Sequence, residues 1–289
     1  MEQSTRAEVI KDIERQINNL PAFSVVVSKV LRVVDNPISS ARDIEKVVKY
    51  DQVLASKILK MANSAYYGYA GKISTLSQGV VILGLNTLRA LLLTASASKI
   101  MNKKLLGYRL EEGRFWEHSV LTALGSRDLA NKLRYKNPEE AFVGGLLHDI
   151  GKLVLDRHVL KNRGIIEDII NKEGVPLTEA EREVLGINHA NVGRRMAEKW
   201  NFPPVLSEVI NFHHEPERAR ENKELVAVVS IINAVSLGLT TLSEEETFSS
   251  AIIKPETLSI LNLSNVGLEE IKILMERSFK DANSFLSLE

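Results

Sequence analysis

The chain has 289 residues, of which 37 are basic and 37 are acidic, together with six histidines and no cysteine. The absence of cysteine excludes disulfide frameworks, thiolate zinc sites, iron–sulfur clusters and cysteine nucleophiles. A formal net charge of zero gives no bulk reason to expect nucleic-acid binding. Any metal or acid–base chemistry must therefore depend on the histidines and the carboxylates.

The neutral total conceals two halves of opposite charge. Residues 1–104 carry 15 basic and 8 acidic side chains, whereas residues 105–289 carry 22 basic and 29 acidic side chains. This difference indicates two units that attract each other or face different partners. No stripe of aromatic and basic side chains accompanies the basic half, so a solvated face explains it better than a nucleic-acid surface. We expect no nucleic-acid partner.

No segment of the sequence is predicted to enter a membrane. Residues 1–19 are polar and amphipathic, without the apolar core of a signal peptide. The longest apolar stretch, residues 80–100, is split by Gly84 and interrupted by Asn86, Thr87 and Arg89. It therefore predicts two buried helices rather than a membrane span. We expect a cytoplasmic protein.

Apolar residues recur at helical spacing through most of the chain, which predicts an all-α fold. Val26, Val30 and Val33 indicate a helix after the start signal at Leu20–Pro21. Further helices are predicted over residues 87–103, 112–133, 138–148, 165–172, 178–185, 189–200, 204–213, 224–239 and 268–286. The polar stretch 240–250 is predicted to be a solvated loop.

All six histidines lie between residues 118 and 214. Five of them, His118, His148, His189, His213 and His214, are candidate ligands in helical contexts, whereas His158 is predicted to be a surface or core residue outside this set. Imidazole and carboxylate ligands suit Fe, Mn or Zn. Neighbours on a helix diverge by about 100°, but His148–Asp149 and His213–His214 can converge on an ion near a helix end. Five imidazoles and one carboxylate exceed one tetrahedral site. They could form a two-metal centre, or hold one ion and leave histidines for a phosphate.

Several segments resemble known motifs. Leu146-Leu-His-Asp-Ile-Gly-Lys152 resembles the His-Asp-x-Gly-Lys signature of the HD superfamily of metal-dependent phosphohydrolases. Other segments resemble the HDOD family, the HD-related output domains of bacterial signalling proteins: Leu20-Pro-Ala-Phe, Asp35-Asn-Pro, Leu59-Lys-Met-Ala-Asn-Ser-Ala-Tyr-Tyr-Gly68, Ile73-Ser-Thr-Leu and Leu83-Gly. The resemblance covers roughly residues 17–240.

The resemblance implies a multi-helical HDOD fold, in which an N-terminal helical subdomain packs on an HD-like helical bundle. It assigns residues 17–240 to the HDOD domain, with the subdomain over 17–105 and the metal-site bundle over 106–240. Residues 241–289 are then expected to form a C-terminal helical extension.

The resemblance also implies site residues. His118, His148 and Asp149 match the first three HD metal ligands. His189, His213 and His214 match further histidines of the two-metal branch, which includes the HD-GYP cyclic-di-GMP phosphodiesterases. Lys152 matches the lysine that contacts substrate phosphate in that branch. The implied cofactor is one or two divalent ions of Fe, Mn or Zn.

Two departures from the superfamily pattern weaken this site. The last aspartate is expected in the helix after His214, where the chain has Asn233. An amide oxygen can bind a metal but brings no negative charge with which to hold two ions. No Gly-Tyr-Pro follows His214, and Glu215 is predicted to be a solvated carboxylate rather than a ligand. The missing Gly-Tyr-Pro motif argues against cyclic-di-GMP hydrolysis in particular.

We therefore predict a bacterial signal-transduction output module with a retained metal site. The expected partner is a signalling protein or a phosphate-containing ligand, and a homodimer is left open. The alternative is a metal-dependent phosphohydrolase, either a phosphodiesterase or a nucleotidase. In that case Lys152 would steady the phosphate, and Asp149 would take part in catalysis.

Overall fold

A computed structural model of the chain describes residues 5–19, 43, 48, 52–69, 72–240, 253–263 and 265–286. Within these ranges the structure is helical, and the isolated bridge between Leu105 and Leu110 is the only β pairing. The all-α prediction is therefore confirmed. The helix predicted after Leu20 and the predicted loop beyond Thr240 lie outside the described residues.

In chain order, the helices are α1 (Arg6–Asn19), α2 (Gln52–Ala62), α3 (Leu76–Leu83), α4 (Leu85–Met101), α5 (Arg114–Lys132), α6 (Pro138–Leu147), α7 (Lys152–Glu173), α8 (Leu177–Leu185), α9 (His189–Lys199), α10 (Pro204–Phe212), α11 (Lys223–Thr240), α12 (Pro255–Ile260) and α13 (Asn265–Leu286). They divide between two compact units. One unit comprises residues 1–20 and 101–275, and the other comprises residues 21–100 and 276–289. Every candidate metal ligand lies in the first unit.

Helix α5 is the central helix of the first unit and packs against α6 and α11. Its side chains are buried on nearly all sides, as expected of a core helix; the largest of them are Phe115, Trp116, Leu121, Leu124 and Leu129. Gly145 allows α6 to approach closely, since a Cβ there would lie 2.7 Å from the Thr122 carbonyl oxygen. Helix α1 packs against α7, α8 and α9.

Helix α7 is longer than the sequence prediction of residues 165–172, because it begins at Lys152. Charged residues on its outer face interrupt the apolar pattern in the sequence, although Val154, Leu155, Val159 and Ile166 are buried on its inner face. His158 is also buried on α7, with Nε2 3.2 Å from Asp12 Oδ2 on α1. His158 therefore contacts α1 and is separate from the five histidines that are candidate ligands.

Among its described residues, the second unit contains α2, α3, α4 up to Ile100 and the part of α13 from Glu276 onward. Gly84, at φ +85°, separates α3 from α4 as predicted. Helix α4 is well buried, whereas Val81 on α3 is 84% exposed, so the prediction of two buried helices was wrong for that part of α3. The Asn63 side chain donates to the carbonyls of Leu59 and Ile73 and accepts from the Ile73 N–H, which fixes the turn after α2. Among the described helices, none combines the length and apolar character needed to cross a bilayer.

Gly151 allows the start of α7 to contact the start of α9. A Cβ at Gly151 would overlap the His189 carbonyl oxygen and lie 2.6 Å from the Gly193 nitrogen, and both are backbone atoms. We predict that Gly151→Ala lowers the free energy of unfolding by about 1–3 kcal/mol through overpacking. Gly164→Ala, in the same helix with no neighbouring atom within 4 Å, should instead raise it by about 0.5–1 kcal/mol. Urea denaturation of both variants tests this, and equal effects would contradict it.

Candidate metal centre

Four helices of the first unit carry or adjoin the six predicted ligands. His118 lies in the second turn of α5, and His148 and Asp149 follow the last residue of α6. His189 begins α9, and His213 and His214 follow α10. All of these are buried except His214, which is partly exposed. The structure therefore brings together all six residues that the family resemblance implies as metal ligands.

The ends of α6 and α10 orient two of the imidazoles in the same way. His148 Nδ1 lies 2.7 Å from the Gly145 carbonyl oxygen, and His213 Nδ1 lies 2.9 Å from the Ile210 carbonyl oxygen. A carbonyl oxygen can only accept a hydrogen bond, so each Nδ1 must carry a proton. The Nε2 atom of each ring is therefore directed into the cluster, as in metal-binding histidines with a backbone partner.

The carboxylate of Asp149 lies between two groups of imidazoles. Its Oδ2 atom is 3.2 Å from His148 Nε2 and 3.9 Å from His118 Nε2. Its Oδ1 atom is 3.2 Å from His189 Nε2 and 3.5 Å from His213 Nε2. The first group consists of His118, His148 and Asp149, and the second group of Asp149, His189, His213 and His214. Within each group, the potential ligand atoms lie within 4.8 Å of one another. Asp149 belongs to both groups.

Two polar atoms in the second group are unsatisfied. Asp149 Oδ1 and His213 Nε2 are buried, and no described residue gives either one a hydrogen bond of good geometry. Each such group costs about 1–3 kcal/mol in a folded protein, and buried unpaired groups call for an explanation such as a bound ion. Imidazole nitrogen and carboxylate oxygen are suitable donors for a divalent transition metal. The residues present therefore fit such an ion.

Asn233 occupies the position where the sequence placed a weakened last ligand. It lies on α11, and its Oδ1 atom is 3.0 Å from His118 Nε2. The amide oxygen thus borders the group formed by His118, His148 and Asp149, but brings no charge to it.

Lys152 lies at the edge of the cluster. Its Nζ atom is 2.5 Å from Asp149 Oδ2, and its side chain is 13% exposed. Glu215 is outside the cluster and forms ion pairs with Arg182 at 3.5 Å and Arg218 at 3.0 Å.

Sequence reasoning missed Glu181 and Tyr108. The Tyr108 hydroxyl donates to Glu181 Oε1 at 2.7 Å, and Glu181 Oε2 lies 2.7 Å from His189 Nδ1. One sequence signal was available, because Glu181 falls four residues after Leu177 and four before Leu185, on the apolar face of α8. A charged residue at a core position requires a buried partner.

Burial and neighbouring charges divide the imidazoles electrostatically. Burial lowers the pKa of His118 to about 3 and that of His213 to about 4. It also lowers the pKa of His214 well below the ordinary value. Burial opposes protonation of His189 as well, but the carboxylates of Glu181 and Asp149 raise its pKa to about 9. Burial would raise the pKa of Asp149, yet interactions with His148 and Lys152 hold it well below its usual range.

These shifts predict that the metal-free protein loses stability as the pH falls from 6.5 to 4. His118, His213 and His214 stay neutral in the folded state but take up protons near pH 6.5 once unfolded, so their contribution is lost as the pH falls through the lowered pKa values. The stabilisation that His189 gives the folded state is fully present below its unfolded pKa of 6.5, and the stabilisation from Asp149 is lost only below about pH 3.8. Neither group therefore offsets the loss of stability from the three neutral histidines.

Urea denaturation between pH 7.5 and 4.5 would measure how the free energy of unfolding depends on pH. This dependence gives the number of protons taken up on unfolding, which we expect His213→Gln to lower by about one per chain. A free energy of unfolding that stays constant over this range would contradict the prediction.

Known proteins share this fold. An HDOD domain from Geobacter sulfurreducens, of unknown function, is 21% identical, with 98% of each chain covered and a TM-score of 0.76. A proposed phosphohydrolase from Shewanella amazonensis SB2B is 23% identical, with 94% of this chain and 97% of that one covered and a TM-score of 0.71. A proposed signal transduction protein from Marinobacter aquaeolei VT8 is 17% identical, with 99% of this chain and 66% of that one covered and a TM-score of 0.68. At these identities the likeness shows the fold.

Among curated proteins, an uncharacterized protein of Treponema pallidum (strain Nichols) is 24% identical over 233 residues, which is 80% of this chain and 45% of that protein. Ribonuclease Y of Mycoplasma mycoides is 27% identical over 157 residues, which is 53% of this chain and 30% of that protein. The chain thus spans less than half the length of either relative. The HDOD domain profile matches residues 20–216, more than half of the chain. With the HDOD motifs and the helical fold, this match shows that the chain belongs to the HDOD family.

Proposed function

We propose that the chain is a metal-binding regulatory domain of bacterial signalling, in which Asp149, His189, His213 and His214 hold one divalent transition-metal ion. The unsatisfied Asp149 Oδ1 atom carries this proposal, because it is buried beside the Nε2 atoms of His189 and His213. A cation at this point would satisfy the carboxylate oxygen and the unpartnered His213 nitrogen together. Three imidazoles and one carboxylate also match the four donors of a tetrahedral site.

The other group is a weaker candidate for an ion. Lys152 Nζ lies 2.5 Å from the Asp149 oxygen that faces His118 and His148, and its positive charge opposes a cation there. Asn233 adds an oxygen to this group but no negative charge. We therefore expect a second ion to bind more weakly than the first. Zn, Fe and Mn remain the candidates, since the donors are nitrogen and oxygen without thiolate.

The burial of the cluster favours a regulatory role over turnover. His148, Asp149, His189 and His213 are each at most 1% exposed. A substrate phosphate needs access to the ion, whereas a regulatory ion needs only to stabilise one arrangement of the helices that hold it. We expect the signal to pass to a partner protein in the bacterial cytoplasm, in keeping with the output role associated with HDOD domains.

We predict that the purified protein, never exposed to chelator, carries about one transition-metal ion per chain. Asp149→Asn should lose most of this metal, because it removes the single carboxylate shared by both groups. Asp168→Asn is the matched control, since Asp168 pairs with Lys172 on the exposed face of α7. Plasma mass spectrometry measures the metal content, and a wild-type value below about 0.2 ion per chain would overturn the proposal.

Phosphoester hydrolysis is the second candidate function, and the position of Lys152 favours it. The ammonium lies at the partly exposed edge of the cluster, where it could bind a phosphate oxygen after leaving Asp149. A bound divalent ion would acidify water and polarise a phosphoryl oxygen. Asp149 would orient the neighbouring imidazoles, and Lys152 would hold the phosphate. This chemistry requires a more open site than the one described above.

We predict that Asn233 limits any such activity. Wild type should hydrolyse phosphodiesters and nucleotides no faster than Asp149→Asn, because the group beside His118 lacks the charge to hold a second ion. Asn233→Asp should increase the binding of a second ion, whereas Asn131→Asp, at the exposed far end of α5, should have no effect. Calorimetric titration and a hydrolysis panel measure these outcomes. Wild-type turnover clearly above that of Asp149→Asn would replace the regulatory proposal with the enzymatic one.

A further inference from the structure

A buried chain of hydrogen bonds runs from Tyr108 through Glu181 to His189. Tyr108 lies in the turn closed by the Leu105–Leu110 bridge, and Glu181 lies on α8. The Tyr108 hydroxyl donates to Glu181 Oε1 at 2.7 Å. Glu181 Oε2 accepts from the His189 backbone N–H at 2.9 Å and lies 2.7 Å from His189 Nδ1. Glu181 is fully buried and Tyr108 is 5% exposed.

This arrangement determines which ring nitrogen of His189 faces the cluster. An ionised carboxylate can only accept hydrogen bonds, so the Nδ1 atom that faces Glu181 carries a proton. The Nε2 atom then lies on the cluster side of the ring, 3.2 Å from Asp149 Oδ1 and 3.0 Å from His214 Nε2. The second bond to Glu181, from the His189 backbone, fixes the first residue of α9 to the same carboxylate.

The remaining bonds of Glu181 support this one contact. A buried carboxylate carries a large desolvation cost unless it is well paired. Here the Tyr108 hydroxyl satisfies one oxygen, and both groups of His189 satisfy the other. Tyr108 also borders the cluster, since its ring lies edge-on to His189 with the ring centroids 6.4 Å apart. Tyrosine and glutamate thus form one rigid support for the imidazole.

We propose that Glu181 and Tyr108 are positioning residues that hold His189 in the orientation and tautomer required to bind the metal ion. The inference rests on the proposed metal site. The Glu181 carboxylate also places a negative charge one hydrogen bond away from the His189 ring, which increases the basicity of the His189 ligand.

The test measures Co²⁺ binding by competition with a chromophoric chelator, together with the visible absorption of the bound Co²⁺, which reports its coordination. Loss of such a supporting residue typically weakens metal binding about 10- to 100-fold, which we expect for Glu181→Met. Glu181→Gln keeps the shape and one acceptor, so it should restore part of the affinity. Tyr108→Phe removes one hydrogen bond to Glu181 and should weaken binding by about 3- to 10-fold. All three variants should shift the Co²⁺ spectrum at saturation.

Glu139→Gln is the matched control. Glu139 pairs with Arg127 at the start of α6, at the opposite end of that helix from His148. This variant should lower thermal stability without changing Co²⁺ affinity or spectrum. Thermal unfolding of the metal-free variants identifies general destabilisation, and if Glu181→Met does not fold, Glu181→Gln and Tyr108→Phe decide the result.

The outcomes separate the two proposals. If wild type binds Co²⁺ and the Glu181 and Tyr108 variants match it in affinity and spectrum, the positioning role is overturned and the metal site stands. If wild type binds neither Co²⁺ nor Zn²⁺, the metal site is overturned and the positioning role falls with it. Weaker binding with a shifted spectrum, absent in Glu139→Gln, supports both.

Discussion

The buried carboxylate of Asp149 is the constraint around which the first unit is arranged. An ionised carboxylate in a protein interior loses several kcal/mol of hydration, so the surrounding groups must compensate for it. Lys152 and His148 face one oxygen, and His189 and His213 face the other. These partners come from the ends of four helices, α6, α7, α9 and α10. The packing of these helices and the pairing of the Asp149 charge therefore depend on each other, since displacement of a helix end would remove a partner from the buried carboxylate.

Helix ends are suited to this role because they supply unpaired backbone groups. The last carbonyls of α6 and α10 lack partners within their own helices, and the Nδ1 atoms of His148 and His213 bind carbonyls there. The same imidazoles then present Nε2 to the cluster. Close backbone contact follows from this geometry, and the start of α7 reaches the first turn of α9 only because residue 151 is glycine. The cluster thus explains a packing feature that core hydrophobicity alone would not require.

The sequence predicted much of this architecture, for reasons that particular elements show. Most helix boundaries in the described first unit were predicted to within about two residues, because prolines, glycines and apolar periodicity act locally. The start of α7 was missed because Asp156, Arg157 and Lys161 obscure its apolar face. The link from Tyr108 to Glu181 was missed because 73 residues separate the two side chains, and no local pattern records such a contact. Motif resemblance identified the six residues that the structure brings together, and their role as ligands remains a proposal.

The two sides of Asp149 differ in charge, and this difference bears on function. Beside Oδ2 lie the ammonium of Lys152 and, across His118, the neutral amide of Asn233. Beside Oδ1 lies His189, which is supported by the carboxylate of Glu181. A cation is therefore favoured beside Oδ1 and opposed beside Oδ2. Hydrolysis by two ions needs both sides to hold a metal, whereas an ion that stabilises one packing of helix ends needs only one. The charge distribution thus agrees with the near-complete burial of the cluster, and both favour a regulatory ion.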